Sequence, residues 1–475
     1  MALHWAIQSG KLELVRSLIE RFHADVNAEH RGKSPIFLAI EHRSKDIVAL
    51  LLSQEKINFQ THDRGGITPL LYAASRGSSS TVQALINKHH AELNAQDKKG
   101  QNVLWYTVYH GLRKATQKIC QAGGNMNMYD QDRLSPLHLA IEKIDICMVK
   151  ILLDHCKNTL QTPAFRVGVH RDFDQSSLVL ASGIGAGDIV WLLLKYGVRP
   201  DTRNTIGESS LHVAAAHGHD LVAKLLLDSR DIDRNMRDVV YHHPPLHYAA
   251  MNGHLSLVEL LLNEQSIDIN ARDTMGATAL WWATQKQHNH VAKRLLAECN
   301  VDVNATGCSP DYYCTTSLYH AVEHDDEMLV RLLLKQKNIN PNISIVDGST
   351  PLVRGAQKGN VNIVRLLLKQ KYIHVNATGP RNETPLVLAA GAGHTEVVKE
   401  LLAHPRLSVV KPYETWFGDS ALLSASRQGH ADIVGLFLQD SRVQPNCEDQ
   451  NGVTALWWAA YNGHMEVIRC LIQSS

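Results

Sequence analysis

The sequence has almost no excess charge. Lys and Arg number 48, Asp and Glu 47, and the formal net charge is +1. A neutral chain has no global field to draw in DNA, RNA or an anionic membrane, so neither a nucleic-acid nor a membrane partner is expected. Aromatic residues are scarce at 6%, with 7 Phe, which argues against a sandwich or barrel built on large rings. No apolar run reaches the ~18 residues of a membrane-spanning helix. The opening residues Met1-Ala2-Leu3-His4-Trp5-Ala6 lack the basic-then-apolar pattern of a secretory signal. Gln473-Ser474-Ser475 carry no lipidation or retention motif. The 8 Cys are spread over 475 residues without small-domain spacing. Free thiols in a reducing compartment, cytoplasm or nucleus, are therefore expected. Also missing are a nucleophile elbow, a phosphate loop, a dinucleotide fingerprint and a His-Glu-x-x-His pair. With no catalytic motif, an enzyme is not favoured, and no cofactor is expected.

What is present is a repeat. Hydrophobic content of 44% is ordinary for a folded chain. One phrase keeps returning: Thr68-Pro69-Leu70-Leu71-Tyr72-Ala73, Ser135-Pro136-Leu137-His138-Leu139-Ala140, Ser210-Leu211-His212-Val213-Ala214, Thr278-Ala279-Leu280-Trp281-Trp282-Ala283, Thr384-Pro385-Leu386-Val387-Leu388-Ala389 and Thr454-Ala455-Leu456-Trp457-Trp458-Ala459. Its Leu, or a stand-in, recurs at Leu3, Ile36, Leu70, Leu104, Leu137, Leu178, Leu211, Leu246, Leu280, Leu318, Leu352, Leu386, Leu422 and Leu456. Of the thirteen steps between these fourteen anchors, ten are 33 to 35 residues; the others are 41, 38 and 36. Seven residues past the anchor, ten of fourteen copies place Gly, which ends a short helix in the left-handed conformation. An apolar run at helical spacing follows, such as Ile363-Val364-Arg365-Leu366-Leu367-Leu368. Then come a loop such as Val303-Asn304-Ala305 and a Gly-containing turn such as Asp97-Lys98-Lys99-Gly100.

Each unit therefore reads as turn, helix, tight break, helix, loop. Helices this short do not persist alone in water, and each can bury its apolar face only against the next copy. This grammar resembles the ankyrin repeat, whose period is about 33 residues and whose box is Thr-Pro-Leu-His-x-Ala. It is similar to the long arrays common in fungi. The resemblance implies an all-α solenoid of about 14 helix-turn-helix repeats with β-turn fingers, long enough for a curved superhelix. Repeats 1–5 would occupy residues 1–155, with the first lacking its turn. An irregular insertion would span 156–173, and repeats 6–14 would occupy 174–475. The segment 112–175 contains the longest step, Ile144 in place of Gly and a poor apolar run at Arg113–Cys120, so the stack is expected to be weakly coupled there. The array starts inside a first helix and stops after a second one, which suggests a piece of a longer protein, or ends that associate with one another.

The resemblance also accounts for ten of the 27 His. His4, His138, His212 and His247 fall in the box. His219, His254, His288, His394, His430 and His464 follow the helix break. In the family such histidines bond backbone at the turns.

Function is sought first on the concave side, which fingers and first helices line in this family. Positions two, five and six past each anchor face it. They hold Trp5, Tyr72, Tyr106, Tyr109, Tyr248, Trp282, Trp458 and Tyr461, and the cation Arg354. Tyr and Trp give large contact area at low entropy cost. Packing of Trp282 and Trp458 between repeats is the alternative. A metal site is conceivable at Cys308, Cys314, His320 and His324, since the two His lie four apart on a predicted helix. Five residues separate the Cys, though, which fits no standard zinc finger. Gly183-Ile184-Gly185-Ala186-Gly187 falls at a helix junction, where Gly185 is the expected break. The favoured function is a non-catalytic scaffold that binds another protein on the concave face. The alternatives are a small-molecule binder or unusual enzyme with an aromatic-lined pocket, using His217, Glu323, His320 and His324, and a regulatory repeat fragment of a larger signalling protein.

Overall fold

The computed structural model describes residues 1–87, 91–159, 176–308, 314–409 and 420–473. They contain twenty-eight helices, two for each of the fourteen anchors, from Ala2–Gln8 to Met465–Gln473. All but one are 7 to 9 residues long; Ile146–Thr159 has 14. The chain divides into two compact units, one comprising 1–214 and 221–233, the other 215–220 and 234–475. The expected insertion at 156–173 falls almost wholly outside the described residues.

The returning phrase has a physical meaning at each position. Its hydroxyl residue caps the first helix: the Thr68, Thr278, Thr316 and Thr350 side chains accept from the backbone N–H three residues on. Pro then takes the first helical position, where no N–H is needed, as at Pro69, Pro351 and Pro385. The anchor itself is buried in thirteen of the fourteen copies. The second helix buries an i, i+1, i+4 stripe, for example Ile363, Val364 and Leu367. Even the apolar-poor second helix of repeat 4, Arg113–Gln121, forms and buries Ala115, Ile119 and Cys120.

Two hydrogen-bond ladders join consecutive repeats. His254, His288, His394, His430 and His464 each place Nε2 on a carbonyl of the preceding repeat, at Ala216, Met251, Gln357, Gly391 and Arg427, over 2.9–3.1 Å. Each ring covers the preceding repeat's break glycine, so that glycine needs both a positive φ and the absence of Cβ. At Gly253, φ is +76° and a Cβ would lie 2.7 Å from the His288 ring. The second ladder explains the loop motif. Asn304 donates from Nδ2 to Asn338 O (2.6 Å) and accepts Asn340 N–H on Oδ1 (2.8 Å). Asn270, Asn342 and Asn376 do the same one repeat apart. A single amide thus satisfies two backbone groups of its neighbour.

The four copies without the break glycine keep its geometry. Arg43, Ile144, Gln287 and Asp325 all adopt φ between 53° and 60°. The stack imposes the left-handed turn, and these residues carry its cost, which is highest for the β-branched Ile144.

Candidate functional site

Several of the described fingers are organised by an aspartate. Asp97 Oδ1 accepts Lys99 and Gln101 N–H, Asp273 Oδ1 accepts Met275 and Ala277 N–H, and Asp449 Oδ1 accepts Asn451 and Val453 N–H, all within 3.0 Å. Its other oxygen takes the aromatic residue two past the anchor. Tyr106 Oη donates to Asp97 (2.7 Å), Tyr248 Oη to Asp238 (3.3 Å), Trp282 Nε1 to Asp273 (2.8 Å) and Trp458 Nε1 to Asp449 (3.2 Å). Four of the residues expected to meet a partner therefore staple finger to helix. Their polar ends are engaged and their rings are half-buried. Trp282 and Trp458 also touch the repeat before them, Trp282 edge-on to His243 at 5.6 Å and Trp458 under Arg427, while Trp281 packs against the repeat that follows.

The remaining candidates differ. In the first unit, Tyr72 packs edge-on against Phe37 and accepts from Arg76 at 3.0 Å. Tyr109 is exposed, stacked on Trp105 at 5.3 Å, with the Lys143 ammonium 4.4 Å over its ring. Trp5 is exposed. In the second unit, Tyr461 is exposed and stacked on Trp457, and the Arg427 guanidinium lies 4.4 Å over Trp458. Arg354 forms a two-pronged pair with Glu323 and donates to Gln357 at 2.8 Å. That guanidinium holds the Glu323 carboxyl below its ordinary range. Lys358 closes the group on Asp325 at 2.7 Å.

Sequence reasoning missed the charged centre between fingers 8 and 9. His243 is buried with Nε2 3.1 Å from Asp273 and Nδ1 3.7 Å from Asp238. Burial alone would raise both carboxyls. For Asp238 the N–H groups of Tyr241 and His243 outweigh it; for Asp273 the hydrogen bonds from His243 and Trp282 do. Both stay below the usual carboxylate range. The only signal in the sequence was Tyr241-His242-His243-Pro244-Pro245, which departs from its neighbours without changing the period.

The Cys-Cys-His-His set is corrected. Cys308 and Cys314 are joined in a disulfide, so they offer no thiolate pair to a metal. The expectation of free thiols fails for this pair, while Cys120, Cys147, Cys299, Cys447 and Cys470 are free. The cause is register: Thr306–Cys308 (β1) and Cys314–Thr316 (β2) pair antiparallel with Cys308 opposite Cys314. His320 Nε2 is bonded to Thr315 Oγ1 at 2.7 Å, and burial pushes its pKa down to about 4. His324 Nδ1 meets Gln287 Nε2 at 3.1 Å. Beside it lies a cleft of about 380 Å³. Its acids already serve the fold, Asp325 on Lys358 and Asp326 as cap to Leu329 N–H. Of the other residues weighed for proton transfer, Glu323 is held by Arg354. Among the described residues no helix is long and apolar enough to cross a membrane.

A family model described as ankyrin repeats (3 copies) matches eight overlapping stretches that run from residue 1 to residue 475. The chain belongs to the ankyrin-repeat family. Among curated proteins, this ankyrin array is 31% identical to mouse rabankyrin-5 and 32% to the human protein, over 154 residues. That stretch is 32% of this chain and 13% of those proteins. It is 27% identical over 265 residues to the Arabidopsis thaliana E3 ubiquitin-protein ligase KEG, covering 47% of this chain and 16% of the ligase. The array thus spans only a small part of the relatives it matches. Among solved structures, the ankyrin repeat domain of Bcl-3 matches with a TM-score of 0.40 and 24% identity, over 48% of this chain and 98% of that one.

Proposed function

We propose that this chain is a non-catalytic scaffold that holds another protein on the concave face made by its fingers and first helices. The carrying observation is the staple of aromatic side chain to finger aspartate. It fixes the Tyr106, Tyr248, Trp282 and Trp458 rings, so a partner meets them without paying to order them. Ankyrin repeats generally mediate protein–protein interaction, which supports the reading. Tyr109, Arg354 and the exposed Trp5 and Tyr461 extend the same set. The work would take place in the cytoplasm or nucleus. Affinity capture with the intact chain tests this. Changing Tyr109, Trp282 and Arg354 together should lose the partner, and undiminished recovery would remove the concave-face model.

A second reading follows from the relatives, which are much longer: the array is the recognition part of a larger regulatory protein. Leu456, Trp457 and Tyr461 also offer an exposed apolar contact to another copy. Sedimentation of a Trp457→Glu chain tests that contact, and an unchanged oligomeric state would exclude it.

A further inference from the structure

The finger of repeat 10 is built unlike the other described fingers. Those that pair at all do so through single bridges, such as Gln96 with Asn102 and Glu448 with Thr454. Repeat 10 has a ladder of three pairs, Thr306–Thr316, Gly307–Thr315 and Cys308–Cys314. The ladder is plugged into repeat 9. Trp281 Nε1 donates to Thr315 O (2.9 Å) and Thr315 Oγ1 (3.1 Å). Gly307 lies flat on the same ring, where a Cβ would come within 2.7 Å of the indole. Cys308 N–H donates to Met275 O in the finger of repeat 9 at 3.0 Å. Thr315 Oγ1 is shared with His320, on the first helix of repeat 10.

The disulfide closes the outer end of this ladder. A hairpin of three pairs is marginal by itself. Both cysteines are only half-buried, outside the core. A disulfide in a chain whose other described cysteines are free thiols fits a reversible bond better than a structural one.

We propose that Cys308 and Cys314 form a thiol–disulfide exchange site that latches the repeat 10 finger against Trp281, with glutathione as the chemical class of its reactant. A glutathione thiolate attacks one Sγ, the Sγ–Sγ bond breaks and a mixed disulfide forms. A second glutathione displaces the remaining protein sulfur. The protein takes up two electrons and two protons as two thiols, and glutathione disulfide leaves. The reverse reaction relatches the finger. Oxidised, the ladder holds Thr315 under Trp281 and beside His320. Reduced, its outer end is open. This holds whichever partner the array binds.

The test uses the full chain, equilibrated in glutathione buffers from oxidising to reducing, with differential alkylation of Cys308 and Cys314 and amide exchange read by peptide. The bond should form and break reversibly while the other cysteines stay reduced. On reduction, exchange at 306–308 and 314–316 should rise about ten-fold, with the repeat 9 finger at 273–277 unchanged. A Cys308→Ser, Cys314→Ser chain should match the reduced chain in every buffer. The proposal is overturned if no bond joins the two in any buffer, if exchange is equal in both states, or if the repeat 9 finger rises as much.

Discussion

Repeats 9 and 14 carry the same six residues, Thr-Ala-Leu-Trp-Trp-Ala, at 278–283 and 454–459. Both form the same helix, capped by the same threonine contact, and both send the second indole N–H to their own finger aspartate. There the likeness ends. Leu280 and Trp281 are 1% and 0% exposed; Leu456 and Trp457 are 42% and 48% exposed. Trp281 lies under Gly307 and Thr315 of the following repeat, whereas no described repeat packs on Trp457. Local sequence sets the helix and its staple. The neighbour sets the burial, because only a second copy can cover the far side of a one-helix-deep layer.

The sharpest way to break this comparison is to truncate both rings. Trp281→Ala should cost about 3–5 kcal/mol, the usual range for a large buried aromatic, and Trp457→Ala less than about 1 kcal/mol. Urea unfolding followed by exchange in repeats 9–10 and 14 reads both, and equal costs would refute the role given to the neighbour.

Acid should separate the same regions next. Burial pushes His247 and His320 down to about 4 from the usual 6.5. Both are neutral in the fold, so their contribution is complete above pH 6.5 and is lost as pH falls toward 4. At about 1.4 kcal/mol per unit, each could remove roughly 3 kcal/mol. Repeat 14 has Trp457 and Trp458 at the matching box positions. Exchange measured from pH 7 to 4.5 should show repeats 8–10 opening first, and a simultaneous loss in repeat 14 would contradict this.

A smaller effect tests the break position. Ile144 is 54% exposed and holds φ of 53°. Ile144→Gly should stabilise its repeat by about 1 kcal/mol, by removing left-handed strain at little loss of burial. Gly253→Ala should destabilise by a similar amount or more, since its Cβ would also strike His288. Smallest is the staple itself. Tyr106→Phe removes one bond to Asp97 and should cost ~1 kcal/mol, seen as faster exchange at 97–101.

The fold was legible because it is periodic. Anchors, caps, break glycines and Asn loops recur, and each recurrence checks the others. The candidate site was legible only in part. Spacing singled out Tyr106, Tyr248, Trp282 and Trp458 as one set, yet it gave no hint that their polar atoms hold aspartates nine or ten residues upstream. His243 was invisible for the same reason: its two carboxylates belong to different fingers. The Cys308–Cys314 pairing depended on strand register, which a count of five intervening residues leaves open.

Sequence alone settled the number of repeats, the helix ends and the family, because those follow from short-range rules written once per period. Tertiary structure decided the rest: which of two identical tryptophans is core, which residues without a Cβ-free backbone must still turn left-handed, and which histidine sits between two acids. Each of those depends on what the adjoining layer places a few ångströms away, and no local window of residues contains that layer.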